Sequence, residues 1–370
     1  MIRRMSEAGR EEIELSVARC TAADRAEQER LYSQCFKKPL PARGLAWRYD
    51  ESPLGESISF VARPAGGVAV SGYACNPRRA IARGDESTLA FVGETGDVMT
   101  HPDWRKRGAF SRLDRSAMDA ARERGWVLAF GLPNRKSAHI FLELGWRQIG
   151  TVRPWTFVLR ADGASRELRA REGRIAGWRT WLDARACAQA RVELDRARGA
   201  FRRAGIERFD DEVEALSRLV EPAFGFMLRR DARYLNWRFL AAPSKLHRAI
   251  GVYDGARLAG YAVVQLPRKG EHLGHLVDVL GRDERAVRAA IGEGLLEQER
   301  EGASAVQATA IDGSWWSERL REAGFLAPKS ENHLTVILHP LQPEHPLAVA
   351  AADARSWYFT DGDRDDETVG

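Results

Sequence analysis

The feature that most constrains the fold is the stretch of residues 97–113, DVMTHPDWRKRGAFSRL. Residues 93–100 are predicted to form an extended strand, His101-Pro102-Asp103 a turn in which proline fixes one backbone angle, and residues 107–124 a helix. The apolar residues of this helix recur at spacings of three and four: Ala109, Phe110, Leu113, Ala117, Ala120 and Ala121. The helix therefore presents one face to a sheet.

The turn at residues 104–109, WRKRGA, combines three cations with free backbone N–H groups at the positive end of the helix dipole. An anionic ligand is expected there. Neither the GxxxxGK[ST] loop nor the GxGxxG dinucleotide fingerprint is present, which implies a diphosphate carried by another kind of molecule. The alternative interpretation is an Arg-rich helix start in an Arg-rich chain, without a ligand.

A second motif follows at residues 134–146, NRKSAHIFLELGW, which predicts a short helix that ends at Gly145 and leads through an aromatic residue into a strand. The RxxG that opens the first helix and the NxxSxxxFxxxGW beyond an intervening strand at residues 126–131 together resemble the GNAT acyltransferases. The resemblance covers about residues 13–157. It implies a mixed α/β (α+β) sheet and acetyl-CoA, or another acyl-CoA, as the acyl donor.

Carried over residue by residue, the resemblance assigns an acyl-CoA site. Val98, Met99 and Thr100 would bind the pantetheine through their backbone groups, as an added strand does. The turn and helix start would hold the pyrophosphate, and the second motif would line the other side of the CoA. The residues of these two groups are Arg105, Lys106, Arg107, Gly108, Ala109, Phe110 and Ser111, then Asn134, Ser137 and Phe141.

Phe141 departs from the family pattern. Many family members have a tyrosine there as the acid that protonates the leaving thiolate, and phenylalanine has no proton to give. Another group or water would then do this, or the chemistry is slow or absent. Tyr73, on a neighbouring predicted strand, is the candidate replacement.

Transfer to an amine also needs a base and a donor that stabilises the oxyanion. In the family pattern the carbonyl faces the backbone N–H of Met99 or one nearby. Glu94, Asp97 and His101 are the candidate bases, acting directly or through water, and the two acids are favoured. Each also has a structural interpretation, because the acids can be solvated strand residues and His101 can serve the turn before Pro102.

The first half of the sequence is echoed in the second. Residues 45–53, LAWRYDESP, resemble residues 235–243, LNWRFLAAP. Gly72-Tyr73-Ala74 recurs at residues 260–262, and the end of the second motif recurs at residues 320–325. We therefore expect two GNAT-like domains in tandem, residues 1–160 and 206–370, joined by a helical linker at residues 161–205.

The second copy lacks the cationic turn. After a predicted strand at residues 275–280 the chain continues GRDERAV, whose two acids would repel a diphosphate. The second domain is therefore expected to be degenerate, to bind no CoA and to wall the acceptor cleft. Tandem GNAT proteins encoded with bacterial polysaccharide genes look similar at residues 234–239, YLNWRF, and at the acidic end of the chain, residues 361–367. These acids would hold an amino-sugar cation or form a frayed tail.

Composition argues against several other classes. The charge of +5 is interleaved with acids and shows no basic stripe, so no nucleic-acid partner is expected. The four cysteines follow no metal-ligand or disulfide spacing. Because the N-terminus is polar and no run of about 18 apolar residues occurs, we expect no membrane span and a cytoplasmic location. The oligomeric state is open.

The sequence as a whole predicts an acyl-CoA-dependent N-acyltransferase that acts on an amine of a small metabolite or amino sugar by direct attack. Phe141 keeps open a non-catalytic CoA-binding sensor. An aminoacyltransferase of the peptidoglycan-crosslinking kind is a further alternative, against which the intact turn at residues 105–108 counts. Aminoglycoside acetylation is a third alternative.

Overall fold

The structure, a computed structural model, describes residues 14–36, 40–171, 177–327 and 333–364. The predicted acids at residues 365–367 and the polar N-terminus lie outside these ranges. Within them, 14 strands join into one mixed sheet. The strands are β1 Leu15–Arg19, β2 Ile58–Pro64, β3 Ser71–Ala82, β4 Asp85–Thr100, β5 Leu128–Gly131, β6 Arg147–Val158, β7 Arg202–Gly205, β8 Phe226–Leu228, β9 His247–Asp254, β10 Arg257–Gln265, β11 Leu273–Gly281, β12 Ala305–Ile311, β13 Leu334–Pro340 and β14 Trp357–Tyr358.

Helices cover both faces of this sheet. In the described ranges they are α1 Arg25–Cys35, α2 Ala42–Asp50, α3 Ala109–Glu123, α4 Arg135–Glu143, α5 Gly163–Arg171, α6 Gly177–Arg198, α7 Asp211–Val220, α8 Ala232–Leu235, α9 Glu284–Arg300, α10 Trp315–Glu322 and α11 Pro346–Ala350. A π-helical turn, Asn236–Leu240, directly follows α8. None of the described helices is both long and apolar enough to cross a bilayer.

The two halves of the chain exchange one strand each, β6 and β13. The order along the sheet is β1-β2-β3-β4-β5-β13-β6-β12-β11-β10-β9-β7. Thus β13, from the second half, lies antiparallel between β5 and β6, and β6, from the first half, lies antiparallel between β13 and β12. The mixed α/β sheet expected from the sequence is confirmed, and the sheets of the two halves merge into one.

The helices form two layers that match the alternation of side chains along the strands. Tyr73 on β3 points to α3, whereas its neighbour Ala74 packs with Leu45 and Tyr49 of α2 on the other face. In the second half, α9 packs on Ala262 and Val264 of β10, while Tyr261 and Val263 face α7. One face therefore carries α3 and α9, and the opposite face carries α1, α2, α7 and α8.

The sequence echoes have different outcomes in the structure. The two tryptophans of the LxWR segments, Trp47 and Trp237, stack on each other with ring centroids 4.5 Å apart, so these segments meet where the halves join. Gly145 and Gly324 both follow a helix with positive φ. The two Gly-Tyr-Ala segments do not occupy corresponding positions in the two halves, because Tyr73 faces α3 and Tyr261 faces α7. A shift of one residue along a strand changes the face.

Two predicted boundaries differ from the structure for identifiable reasons. Helix α3 begins at Ala109 rather than at residue 107, because Lys106 (φ 63°) and Gly108 (φ 72°) are in the left-handed region, which interrupts a helix. The predicted linker, residues 161–205, contains α5 and α6. It ends in β7, which pairs with β9 as the edge strand of the second half.

The strand exchange predicts that neither half folds alone. Residues 1–160 expressed by themselves would lack β13, leaving β5 and β6 with unpaired edges, and should be aggregated or unfolded by circular dichroism and size exclusion. Co-expression with residues 161–370 should restore a folded complex. A folded, monodisperse 1–160 fragment would contradict the exchange.

Candidate active site

A gap opens between β4 and β5. The two strands pair in parallel over three rungs, the last of which joins Thr95 to Gly131. Strand β4 then continues to Thr100, whereas the chain after β5 turns toward β13, where Asn134 forms a bridge with Leu334. Among the described residues, the β5-facing edge of residues 98–100 therefore has no strand partner. This is the edge predicted to bind an extended ligand through its backbone.

A β-bulge lies directly beyond the last rung. Gly72 pairs with Met99 and Ala74 with Gly96, so β4 has one residue more than β3, and Asp97 adopts a φ of 48°. The carboxylate of Asp97 accepts hydrogen bonds from the Arg48 guanidinium and the Tyr49 hydroxyl, both on α2. Asp97 is 8 % exposed, and this ion pair ties α2 to the bulge. Its carboxylate is therefore engaged in holding the bulge.

The cationic turn follows the open end of β4. Arg105, Lys106, Arg107 and Gly108 are all exposed, and the backbone amides of residues 106–108 have no acceptor within the described chain. Arg105 Nε donates to the carbonyl of Thr100 at 3.3 Å, which holds the turn against the strand. Because α3 starts at the next residue, its first amides also point here. The turn therefore combines exposed cations with free N–H groups at a helix start, the groups that a diphosphate requires.

The remaining predicted CoA residues have mixed environments. Ala109 is buried, and Ser111 lies half-buried on the first turn of α3. Asn134 caps α4, since its Oδ1 accepts from the Ser137 amide at 3.2 Å, so these two residues hold each other at the end of β5. Phe141 is 2 % exposed and packs edge-on between Phe110 and Trp146. The side chain of Phe141 therefore belongs to the core beneath the gap.

Tyr73 belongs to a buried hydrogen-bond network on the α3 face. Its hydroxyl donates to Asp114 Oδ1 at 2.8 Å and lies 3.2 Å from Oγ1 of Thr95. Trp146 Nε1 also donates to Asp114, at 3.2 Å. Burial raises the pKa of Tyr73 well above its ordinary value and also raises the pKa of Asp114. The network reaches the last rung of the β4–β5 ladder through Thr95.

Thr95 and Asp114 were not selected from the sequence. Asp114 does carry a signal, because it is an acid on the apolar face of a helix, next to Leu113 and three residues before Ala117. An acid in that position needs a buried partner. Thr95 carries no comparable signal.

Glu94 faces the opposite side of β4 from Thr95, as neighbouring strand residues do. It is 4 % exposed, and its Oε2 accepts from Arg78 Nη1 at 2.6 Å. Its other oxygen, Oε1, has no hydrogen-bond partner in the described structure. Burial raises the pKa of Glu94, which Arg78 opposes. The carboxylate lines a small cleft, shared with Trp237 and Arg238, where the two halves meet.

A larger cavity adjoins this cleft and also touches Arg238. Its volume is about 280 Å³, and residues of both halves line it, including Pro154 on β6 and Gln307 on β12. His247 contributes an imidazole whose Nδ1 has no partner in the described structure. Burial lowers the pKa of His247 to about 3, so this ring is neutral. The cavity offers hydrogen-bonding groups next to apolar surface.

The second half has a corresponding gap that is filled. Strands β11 and β12 pair in parallel only as far as His275 and Gln307. Beyond that rung, Thr360 and Asp361 of the C-terminal segment, the name used here for residues 357–364, bridge the two strands: Thr309 donates through N and Oγ1 to Asp361, and Thr360 Oγ1 donates to Asp278. At the start of α9, the Asp283 carboxylate caps the helix where the first half has its cationic turn. The chain itself occupies the space that an extended ligand would need.

Comparisons with known proteins give a family match for part of the first half and similar folds for most of the chain. Residues 16–149 match the family described as acetyltransferase (GNAT) domain. No curated protein matches the chain. A GCN5-related N-acetyltransferase from Anabaena variabilis has a similar structure, with a TM-score of 0.61 at 11% identity over 89% of this chain and 73% of that one.

Two further solved structures are similar over most of the chain. A GCN5-related N-acetyltransferase from Kribbella flavida gives a TM-score of 0.56 at 17% identity, covering 92% of this chain and 74% of that one. A tandem GNAT protein from the clavulanic acid biosynthesis pathway gives 0.54 at 14% identity, covering 90% and 100%. At these identities the likeness shows the fold, which includes a tandem arrangement.

The buried network predicts a pH-dependent stability contribution from Asp114. Because burial raises its pKa in the folded state, its stabilising contribution is complete in acid, below the ordinary aspartate pKa of about 4, and is lost as the pH rises through the raised value. Urea unfolding should therefore show the stability difference between wild type and Asp114→Asn shrinking from acid to neutral pH. Asp119→Asn, an exposed acid on the same helix, should show no such trend. A parallel pH dependence in wild type and Asp114→Asn would contradict the burial effect.

Proposed function

We propose that this chain, which contains a GNAT acetyltransferase domain at residues 16–149, is an acyl-CoA-dependent N-acyltransferase. It would move an acyl group from acetyl-CoA, or another acyl-CoA, to an amine of a small metabolite or amino sugar by direct attack. The observation that carries the proposal is the unpaired edge of β4 beyond Thr95, which leads directly into the cationic turn.

The donor site would use the backbone more than the side chains. Val98, Met99 and Thr100 would pair with the pantetheine as a further strand does, and the amides and cations of residues 105–111 would hold the pyrophosphate. Asn134 and Ser137, which cap α4, would border the other side. When bound, the thioester supplies an activated acyl carbon. The backbone N–H of Met99, or one beside it, would stabilise the oxyanion.

Glu94 is the base that the geometry supports best. The carboxylate of Asp97 is held by Arg48 and Tyr49, and the ring of His101 accepts a hydrogen bond from the Asp103 amide within its own turn. Glu94 keeps one oxygen without a partner and has a raised pKa. It would accept the proton that the amine loses, directly or through water.

The leaving thiolate would take its proton from the opposite face of β4. Tyr73, in contact with Thr95 and Asp114, is the group that would replace the tyrosine missing at Phe141. Thr95 lies at the last rung of the ladder, so its hydroxyl would relay the proton between Tyr73 and the sulfur. Tyr73, left as a phenolate, would be reprotonated by Asp114 in its protonated form, which the raised pKa of Asp114 favours, and Asp114 would regain a proton from solvent after the products leave.

The acceptor would lie between the halves. The cavity of about 280 Å³ is near the lower limit for a small-molecule site, and it shares the lining residue Arg238 with the cleft of Glu94. Neutral hydrogen-bonding side chains such as His247 and Gln307, beside apolar residues, suit a polar metabolite such as an amino sugar. The second half, whose own gap is filled, would serve as the wall of this site.

The packing of Phe141 favours one alternative, a protein that binds CoA without turnover. Phe141 is buried in an aromatic cluster and cannot donate a proton. The two functions differ in turnover, whereas both require donor binding.

Donor binding is tested by calorimetric titration with acetyl-CoA and with free CoA. Gly108→Asp places a carboxylate in the turn and should weaken binding by at least about tenfold, ~1.4 kcal/mol. Gly125→Asp is the matched control, because Gly125 also has a positive φ and open space around it but lies at the far end of α3. Equal affinity of wild type and Gly108→Asp for acetyl-CoA would contradict the donor-site assignment.

Turnover is tested by thiol release from acetyl-CoA over a panel of amines and amino sugars. Glu94→Gln should lower the amine-dependent rate by about 10²-fold or more while leaving CoA affinity unchanged, since loss of a base affects the transfer step. Tight CoA binding without release on any amine would favour the sensor. Undiminished release by Glu94→Gln would assign the base elsewhere.

A further inference from the structure

The C-terminal segment connects the two halves through buried charges. Asp363 is 1 % exposed, and its Oδ2 accepts from Arg230 Nη2 at 2.7 Å. Its Oδ1 lies 3.5 Å from Nη2 of Arg78, the guanidinium whose Nη1 donates to Glu94 at 2.6 Å. Arg78 is therefore shared between Glu94 on β4 and Asp363 in the C-terminal segment.

The position of the Asp363 carboxylate is fixed from several sides. The Thr360 amide donates to it at 3.0 Å, and Arg230 also contacts Asp278 at 3.2 Å. The Arg230 guanidinium lies 4.6 Å from the ring centroid of Tyr358. Because each contact comes from a buried group, the distance between Asp363 and Arg78 has little freedom to change.

Several groups from different elements face Glu94. They are Arg78 of β3, Arg48 of α2, Tyr234 of α8, Arg238 of the π-helical turn and Asp363 of the C-terminal segment. Asp363 is the only acid among these described groups, and its charge opposes the effect of the cations on the Glu94 carboxylate. Without it, Arg78 would be available to Glu94 alone, and Glu94 would be a weaker base.

We propose that Asp363 is a positioning residue for Glu94: by sharing Arg78, it leaves one carboxylate oxygen of Glu94 without a hydrogen-bond partner, so that this oxygen can accept a proton. This inference rests on the proposed role of Glu94 as the base. It assigns the C-terminal segment a part in the chemistry of the first half, in addition to filling the gap of the second.

The test is a carboxyl ¹³C NMR titration of the full chain labelled at glutamate, with the Glu94 signal identified by its loss in Glu94→Gln. Asp363→Asn should lower the titration midpoint of Glu94 by about one pH unit, because the negative charge that opposes Arg78 at Glu94 is removed. An unchanged midpoint would overturn the inference. Should Asp363→Asn not fold, Asp363→Ser removes the same charge while retaining a hydroxyl that can accept from Arg230.

Asp278→Asn is the matched control. Asp278 is equally buried and also binds Arg230, but it makes no contact with Arg78, so the midpoint of Glu94 should stay at the wild-type value. A shift as large as that of Asp363→Asn would show a general loss of packing and would overturn the specific role of Asp363.

The same variants separate this inference from the proposed function. The midpoint is measured without any substrate, so it reports coupling even where no acceptor amine is known. The pH dependence of amine-dependent thiol release gives the second readout. If Glu94→Gln loses this release, and Asp363→Asn moves the acid limb of its pH–rate profile to lower pH, both the proposed function and this inference hold. If Glu94→Gln loses release but Asp363→Asn moves neither the limb nor the midpoint, this inference alone fails. If Glu94→Gln keeps release, the base assignment fails, and Asp363 has no part in the reaction.

Discussion

The antiparallel pairing of β13 with β5 is the interaction on which the site depends. The backbone N–H and C=O groups of a strand need hydrogen-bond partners, and the chain that follows β5 finds these partners on β13 rather than on β4. The amide of Thr335 donates to the carbonyl of Pro133 at 3.1 Å, and Asn134 bridges Leu334 one step further on. The gap in the first half therefore begins where the chain that follows β5 leaves β4 and bonds to β13, a strand of the second half.

Each half has such a gap between two parallel strands, and the gap is open in the first half and filled in the second. In the first half, the gap leads into a turn whose two left-handed residues direct free amides outward. In the second half, the C-terminal segment supplies Asp361 and Thr360 as hydrogen-bonding partners within the gap, and an aspartate caps the following helix. A backbone edge that is satisfied by the chain itself has nothing left to offer a ligand. The same fold therefore has an open gap in the first half and a gap filled by the chain itself in the second half.

Local chemistry made part of this predictable from the sequence. The strand, the cationic turn and the amphipathic helix are each set by neighbours a few residues apart, and all three were found, with α3 starting late because of Lys106 and Gly108. The Trp47 and Trp237 segments, which the sequence pairs as an echo, meet in the structure through the stacking of these two rings. The Gly-Tyr-Ala match misled, because three residues fix neither the register nor the face of a strand.

The rest depended on contacts between residues far apart in the chain. The residues next to Asp97 in the sequence do not indicate that Arg48 and Tyr49 bind its carboxylate. The acids near the end of the chain resembled a solvated tail. Asp363 is instead buried against Arg78, 285 residues earlier. Such pairings depend on tertiary contacts between distant segments, which sequence periodicity does not encode.

The alternation of β4 gives a physical reason why Phe141 need not abolish transfer. Glu94 and Thr95 are adjacent and therefore face opposite sides of the sheet, at the rungs where the ladder with β5 ends. A thioester held in the gap would meet a proton acceptor on the face of α2 and α8 and a hydroxyl network on the face of α3. In the tetrahedral intermediate the amine nitrogen and the thiolate sulfur are different substituents of one carbon, so a base on one face of the strand and an acid on the other could each reach one of them. A tyrosine on α4 is one way to reach the sulfur from the α3 face, and the pair of Tyr73 and Thr95 reaches the same face from β3 and β4.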